Sequence, residues 1–363
     1  MNITIQRDAL LKPLQAVSSV VEKKQTLPIL SNVLFTAKAG ILHLTGTDLE
    51  IELVGVVNVV EMIAEGVVTV SARKLFDICR TLPEGCLLRL SVEKNHLVVR
   101  TGESCFMLNT LAAQDFPNLE DCTYATQFTI KQSTFKNLLT KTYFAMGQQD
   151  VRHYLNGAFI DIKQNMIKCV AADGHRLALT SFQDDNLNNI EARVIVPRKS
   201  VLELIRLLAD GDHDVRVQIA ENRICVSMTD YVFTSKLINA QYPDYNRLIP
   251  KGSMTATGDR ETIKQALTRA AILSNEKFRG VRFQLEEGKL RITANNSDQE
   301  HAEEDVSLEY QGSSMEIGFN VAYLLDVVSS VTEKVVRFVF TDPNSGVLIE
   351  SADSIYVVMP MRL

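Results

Sequence analysis

Val68-Thr-Val-Ser-Ala-Arg73-Lys74-Leu-Phe-Asp-Ile decides the fold, because the chain writes it three times. A short β-branched run leads into apolar residues at helical spacing. The same frame returns as Val194-Ile-Val-Pro-Arg198-Lys199-Ser-Val-Leu-Glu-Leu, and again as Glu316-Ile-Gly-Phe-Asn320-Val-Ala-Tyr-Leu-Leu-Asp. Arg73 and Arg198 lie 125 residues apart, and Pro197 and Asn320 lie 123 apart.

A second block keeps these offsets, and a third ends each copy. Leu30-Ser-Asn-Val-Leu-Phe35 matches Leu155-Asn-Gly-Ala-Phe-Ile160 and Phe278-Arg-Gly-Val-Arg-Phe283. Cys105 through Pro117 reads as the counterpart of Tyr231 through Pro243, with Ile355 through Leu363 as the third version. A period of domain size means tandem copies. The boundaries fall near 125 and 251, giving copies 1–125, 126–250 and 251–363.

Inside each copy the period alternates between that of a strand and that of a helix. Thr4–Lys12, Thr129–Leu139 and Ala256–Leu267 open on a strand-like run followed by helical spacing. Arg73–Leu82, Arg198–Leu208 and Asn320–Val331 repeat that pattern mid-copy, and alternating runs such as Ile41-Leu-His-Leu-Thr-Gly fill the rest. Each copy therefore reads as two βαβββ halves, an α+β architecture with helices on one face of antiparallel sheets. Stacked copies leave two uncapped ends, which a head-to-tail closure would remove.

The bulk numbers bound the function. The chain has 363 residues, 46% hydrophobic and 23% charged, which suits a globular protein of more than one core. The start, MNITIQRDALLKPL, lacks the pattern of a signal peptide, and no apolar run is long enough to span a bilayer. Six scattered cysteines without a CxxC pair read as reduced thiols, hence a cytoplasmic protein.

The net charge of −6 argues at first against nucleic acid, since phosphate-gripping proteins usually carry basic excess. The charge is uneven, however. The first copy holds 11 basic and 14 acidic residues, the second 15 and 13, and the third 12 and 17. Basic residues favour the helices: Arg7, Lys12, Arg73, Lys74, Arg80, Lys136, Lys141, Arg198, Lys199, Arg206, Arg260, Lys264 and Arg269. Their spacing puts them on helix faces opposite the apolar stripe. A negative protein whose helices line a hole can carry a positive lumen.

Several ordered motifs resemble one family. They are Thr26-Leu-Pro-Ile-Leu30, Leu44-Thr-Gly-Thr-Asp-Leu49, Phe116-Pro-Asn-Leu119, Asp173-Gly-His-Arg-Leu177, Asn275-Glu-Lys-Phe-Arg-Gly280, Gly318-Phe-Asn-Val321 and Val357-Val-Met-Pro-Met-Arg-Leu363. Together they resemble the bacterial sliding clamp, the beta subunit of DNA polymerase III, over the whole chain. The resemblance implies a head-to-tail homodimer of six domains, with twelve helices lining a hole and the sheets outside. Twelve helices of roughly 10 Å each, set side by side, leave an opening of roughly 28 Å, enough for a duplex. Binding is then topological and sequence-independent, and a weakly basic lumen suffices. A clamp loader, DNA polymerases and other clamp-motif proteins are the implied partners.

The resemblance also assigns residues. DNA contacts fall on Lys24, Arg73, Gln149, His153 and Tyr154. Where Lys24 stands the family often has Arg, and where His153 stands an aromatic; Lys keeps the charge without the guanidinium fork. A partner-peptide pocket is assigned to Leu155, Gly174, His175, Arg176, Leu177, Pro243, Arg247, Leu248, Asn320, Tyr323, Val347, Val357, Met359, Pro360, Met361 and Arg362. Aliphatic and Met side chains make an adaptable slot for apolar anchors. Ala172 stands where the family commonly has Thr. The joint between chains is assigned to Lys74, Phe106 and Leu108 facing Ile272, Leu273, Glu300, Glu303 and Glu304.

The sequence carries no nucleophile elbow, P-loop or GxGxxG, and its histidines lack metal-ligand spacing. No catalytic residue, metal or cofactor is expected. Asp173-Gly-His175 has its first-copy counterpart in Thr47-Asp48-Leu49, which lacks the His. A protein-binding scaffold that never encircles DNA is the alternative to a clamp, and a hydrolase is a more distant one.

Overall fold

The computed structural model describes residues 1–21, 27–117, 119 and 122–362. The first copy comprises β1 (Asn2–Gln6), α1 (Arg7–Val20), β2 (Asn32–Lys38), β3 (Ile41–Thr47), β4 (Ile51–Asn58) and β5 (Glu61–Ala64). It continues with β6 (Gly66–Ser71), α2 (Ala72–Thr81), β7 (Leu87–Glu93), β8 (His96–Thr101) and β9 (Ser104–Leu111). The second has β10 (Thr126–Lys131), α3 (Gln132–Thr140), β11 (Gly157–Lys163), β12 (Met166–Ala172) and β13 (Arg176–Gln183). Its later half is β14 (Ala192–Pro197), α4 (Arg198–Leu207), β15 (Asp214–Ile219), β16 (Arg223–Ser227) and β17 (Tyr231–Lys236). The third has β18 (Met254–Asp259), α5 (Arg260–Ile272), β19 (Gly280–Glu286), β20 (Lys289–Asn295), β21 (His301–Ser307) and β22 (Glu309–Tyr310). It ends with β23 (Met315–Asn320), α6 (Val321–Ser330), β24 (Val335–Phe340), β25 (Val347–Glu350) and β26 (Ser354–Val358).

The expected order of strands and helices is present in all six halves. Two strands are additions to it. Both β5 and β22 lie at sheet edges, paired on one side only, with β1 and β18 respectively. β5 buries none of its residues and β22 is only two residues long, so neither writes a period of two into the sequence.

The chain divides into two compact units. The first holds residues 1–133 and 203–237 and carries one antiparallel sheet of thirteen strands, ordered β10-β15-β16-β17-β4-β3-β2-β6-β9-β8-β7-β1-β5. The second holds residues 134–202 and 238–363. It carries a nine-stranded sheet, β14-β11-β12-β13-β26-β25-β24-β18-β22, and a four-stranded one, β21-β20-β19-β23.

The helices bury equivalent positions. In α1 these are Leu10, Leu14 and Val17, and in α5 they are Ile263, Leu267 and Ala270. Phe135 and Leu139 of α3 and the following Thr142 fill the same places. In α4 and just beyond it, Val201, Leu204 and Leu208 correspond to Leu324, Val327 and Val331 at α6. Close approach of α1 to its sheet depends on glycine: a Cβ on Gly46 would lie 2.6 Å from Val17 Cγ1, and one on Gly55 3.1 Å from Pro13 Cβ.

Three of the basic residues expected on an outer helix face are instead spent inside. Arg7 is buried; its Nε and Nη2 donate to the carbonyls of Cys79 and Arg80 at 2.7 and 3.0 Å. It satisfies the open C-terminal carbonyls of α2. Lys141 is buried against Asp353, with Nζ 2.6 and 2.8 Å from the two carboxylate oxygens. Arg198 donates to the carbonyls of Tyr143 and Met146. Lys12, Arg73, Lys74, Arg80 and Arg206 do remain exposed.

The third repeat block also needs a shift of one residue. Met228 donates to the Tyr231 carbonyl and Ser351 to that of Ser354, while Thr101 faces Ser104 across the β8–β9 turn. Ser104, Tyr231 and Ser354 are therefore equivalent, not Cys105, Tyr231 and Ile355. The conserved spacing to Pro117 and Pro243 sets the frame when read by eye, and hairpin geometry overrides it.

Candidate partner groove and joint surfaces

A groove of about 330 Å³ lies in the second unit. Four segments wall it. The β12–β13 turn gives Ala172, Gly174, Arg176 and Leu177, and the turn His153–Leu155 gives Tyr154 and Leu155. The segment that ends the second copy gives Tyr242, Pro243, Asp244 and Leu248, and β26 with the residue beyond it gives Val357 and Met359. Its floor is an apolar cluster that includes Phe159, Val170, Ile195 and Leu348. Tyr242 stacks flat on Phe159, 4.6 Å between centroids, and Tyr154 meets Tyr242 edge-on. Among the described residues the Tyr242 hydroxyl is buried without a hydrogen-bond partner, and burial pushes its pKa well above the ordinary value.

The turn that starts the groove is locally determined. The Asp173 carboxylate accepts from the N–H groups of His175 and Arg176 and from Arg176 Nε, at 2.9, 3.0 and 3.0 Å. This is an Asx turn closed by its own ion pair. Gly174 has φ +89°, and the Arg152 guanidinium lies directly over it. Arg152 is held there by Asp150, whose carboxylate its Nε and Nη2 meet at 3.0 and 2.9 Å. That pairing draws the Asp150 pKa down to about 2.

The structure sorts the sixteen assigned pocket residues. Leu155, Gly174, Arg176, Leu177, Pro243, Leu248, Val357 and Met359 converge on the groove. His175 and Tyr323 stand parallel, 6.2 Å apart, and Met359 N–H donates to the His175 carbonyl. Arg247 is exposed and paired with Asp244. Met361 and Arg362 line a separate hollow with Asn275, Phe278 and Arg282, and Met361 N–H docks on the Gly318 carbonyl. Pro360 is half-buried between these two docked residues. Val347 is fully buried in its ladder with Val358 and presents no surface.

Two of the assigned pocket residues act as framework. Arg176 reaches Asp173, Asp326 and the Phe144 carbonyl and lies 4.3 Å over the Tyr323 ring. The Asn320 oxygen caps α6 by accepting from Ala322 and Tyr323 N–H. Sequence reasoning missed Arg152, Tyr242 and Asp244 as groove residues, and placed Tyr154 only among DNA contacts. The alternating Tyr-Pro-Asp-Tyr of 242–245 was the available signal.

Of the assigned DNA contacts, Arg73 is exposed on α2, with Asp77 3.8 Å away. Gln149, at φ +54°, and His153 are exposed on the loop beside the groove. Lys24 lies outside the described residues.

Of the assigned joint residues, Ile272 is 75% exposed, Lys74 is exposed, and Leu273 and Phe106 are half-buried. Leu108 is already buried within its own unit. The acids are paired within the chain. Glu304 takes a bidentate contact from Arg269 at 2.8 and 2.7 Å, Glu303 meets Arg291, and Glu300 accepts from Asn296. Among the described residues no group of His, Cys, Asp and Glu could hold a metal. Among the described residues no helix is long and apolar enough to cross a membrane.

This arrangement of repeated strand–helix halves with a peptide-sized groove defines a DNA-clamp fold. Family profiles for the N-terminal, central and C-terminal domains of the DNA polymerase III beta subunit match residues 1–120, 129–244 and 246–362. The beta sliding clamps of Pseudomonas putida and Escherichia coli K12 are each 49% identical to the chain, with both chains covered in full. The crystal structure of the Pseudomonas aeruginosa beta subunit superposes with a TM-score of 0.97 at 49% identity, and that from Caulobacter crescentus with 0.94 at 35%, again over full lengths. The chain belongs to the beta sliding clamp family, the non-catalytic processivity subunit of DNA polymerase III. A protein-binding scaffold that never encircles DNA is not favoured by these likenesses. A Pseudomonas aeruginosa clamp structure of the same fold holds griselimycin.

Proposed function

We propose that two copies of this chain close head to tail around duplex DNA, and that the groove holds a short apolar peptide segment of each protein tethered there. The unfilled third joint carries this reading. In the first unit β17 pairs with β4, Tyr231 opposite Gly55 through Ser235 opposite Ile51. In the second unit β26 pairs with β13 at the equivalent positions, Ser354 opposite Thr180 and Val358 opposite Arg176. The strands left over are β9 and β21. Ser104–Asn109 of β9 pair only with β8, and β21 pairs only with β20, among the described strands.

Side chains support the same closure. Phe233 and Tyr356, equivalent to Phe106, are fully buried at their joints, whereas Phe106 is half-exposed. Phe144, equivalent to Ile272, is buried. The transferred register sets Ser104 against Glu304, Phe106 against Ala302 and Leu108 against Glu300 of a second copy. Two such heterologous joints close on themselves, which removes both sheet edges. The domain boundaries follow the repeat, near 125 and 251.

Arg73, Gln149, His153 and Lys24 are the proposed phosphate contacts, with Tyr154 shared between DNA and the groove. Polymerases, a loader and other clamp-motif proteins are the proposed occupants of the groove. The cytoplasm, where its six free cysteines stay reduced, is the proposed compartment.

The test is retention on circular against linear DNA. A clamp stays on a closed circle and runs off free ends. Equal retention on both, or on neither, overturns encirclement.

A further inference from the structure

We infer that Arg269 of one copy and Glu103 of a second copy form an ion pair across the joint, with Arg269 held between Glu103 and its own Glu304. This rests on the head-to-tail reading above and goes beyond it to a charge contact that makes the joint directional.

The internal repeat supplies the geometry. The buried stripe of the helices makes Ala16, Lys141 and Arg269 equivalent: each sits one residue before Val17, Thr142 or Ala270. The hairpin turns make Glu103, Asp230 and Asp353 equivalent, each one residue before the strand that crosses the joint. All three turns carry an acid at that place. In the second unit, cation and acid at these positions meet: Lys141 Nζ lies 2.6 and 2.8 Å from the Asp353 carboxylate oxygens. The backbone fixes the turn there, because Ser181 N–H donates to the Asp353 carbonyl, as Val56 N–H does to Asp230. Carried to the third joint, Asp305 N–H meets the Glu103 carbonyl and Arg269 meets the Glu103 carboxylate. The first joint has Ala16 in place of a cation.

Arg269 is suited to a double load. Its Nε and Nη2 donate to Glu304, which leaves the Nη1 side of a five-donor guanidinium for a second carboxylate. The equivalents of Glu304 are Gly55 and Thr180, so this second acid belongs to the third copy alone. It orients Arg269 before the copies meet, which lowers the ordering cost of the contact.

The test is a double-mutant cycle on dimer dissociation, measured by subunit exchange between fluorescently labelled full-length chains. Glu103→Ala and Arg269→Ala each speed exchange, and the double variant shows a coupling of about tenfold between them. The charge swap Glu103→Arg with Arg269→Glu restores exchange to within about threefold of the parent. Circular dichroism of each variant shows the fold retained, since both side chains are exposed in the single chain. Additive effects, with no rescue by the swap, overturn the ion pair while leaving the dimer standing. A parent chain that is monomeric in sedimentation overturns the head-to-tail reading itself.

Discussion

The Arg152 guanidinium lies over Gly174, so close that a Cβ there would come within 2.7 Å of Nη2. This contact joins the loop that carries Gln149 and His153 to the wall of the groove. Gly174 also has φ +89°, where a side chain strains the backbone. Gly174→Ala is expected to lower unfolding free energy by about 1 kcal/mol in a urea titration. It also displaces Arg152, so peptide affinity falls by more than stability explains. Unchanged affinity in a fluorescence-anisotropy titration would show that Arg152 does not shape the bound state.

Val357 and Met359 close the groove from the C-terminal end, and the tail is fastened by the Met359 N–H to His175 and the Met361 N–H to Gly318. Deleting Met359–Leu363 is expected to abolish binding of a clamp-motif peptide and leave the dimer intact. Full peptide affinity in the truncated protein would remove the groove assignment. The single change Met359→Ala loses part of a flexible apolar wall and costs about tenfold in affinity.

Lys141 and Asp353 form a pair in which the lysine is 10% exposed and the acid 38%. Removing the acid leaves a buried ammonium without its counter-charge. Asp353→Asn is expected to destabilise the protein by about 2 kcal/mol, below the range for fully buried pairs because the site is partly wet. A change under a few tenths in denaturant unfolding would show that water replaces the carboxylate without loss.

The fold was legible because the repeat is written in two periods at once. Leu75 and Cys79, or Leu324 and Val328, mark helices by spacing alone, and each lies where the helical pattern puts it. The additional strands β5 and β22 left no such mark, since β5 buries no residue and β22 spans only two. The site was legible only through resemblance. Composition could not distinguish Arg7, Lys141 and Arg198, which satisfy buried carbonyls or an acid, from Arg73, which faces solvent. That distinction is tertiary: a cation's role depends on which carbonyls the next helix leaves open. Tyr242 was missed for a related reason, because its stacking partner Phe159 is 83 residues away in sequence.

Asp150 is held at a pKa of about 2 chiefly by the Arg152 side chain, helped by the Arg152 N–H. A depressed carboxylate favours the folded loop above its unfolded pKa of about 3.9, and that preference is lost as pH falls toward the folded value. The loop 148–154 is therefore expected to keep its protection from amide exchange at neutral pH and to lose it between about pH 4 and pH 2. Asp150→Asn removes the dependence. Equal protection across that window in the parent protein would show that the ion pair does not order the loop.

Ile272 projects from the end of α5 with 75% of its surface exposed, while its equivalent Phe144 is buried. The proposed joint would bury Ile272 as Phe144 is buried. Replacing Ile272 and Leu273 with polar residues is expected to give monomers in analytical ultracentrifugation. Burying most of an isoleucine contributes about 2 kcal/mol, and the proposed dimer has two joints, so the paired loss is expected to shift dissociation by several orders of magnitude. The variant should keep its peptide groove, which lies in residues 152–248, 357 and 359. A monomer that still binds peptide would separate joint from groove. A dimer unchanged by both substitutions would sink the joint assignment, and with it the closure on which retention by circular DNA depends.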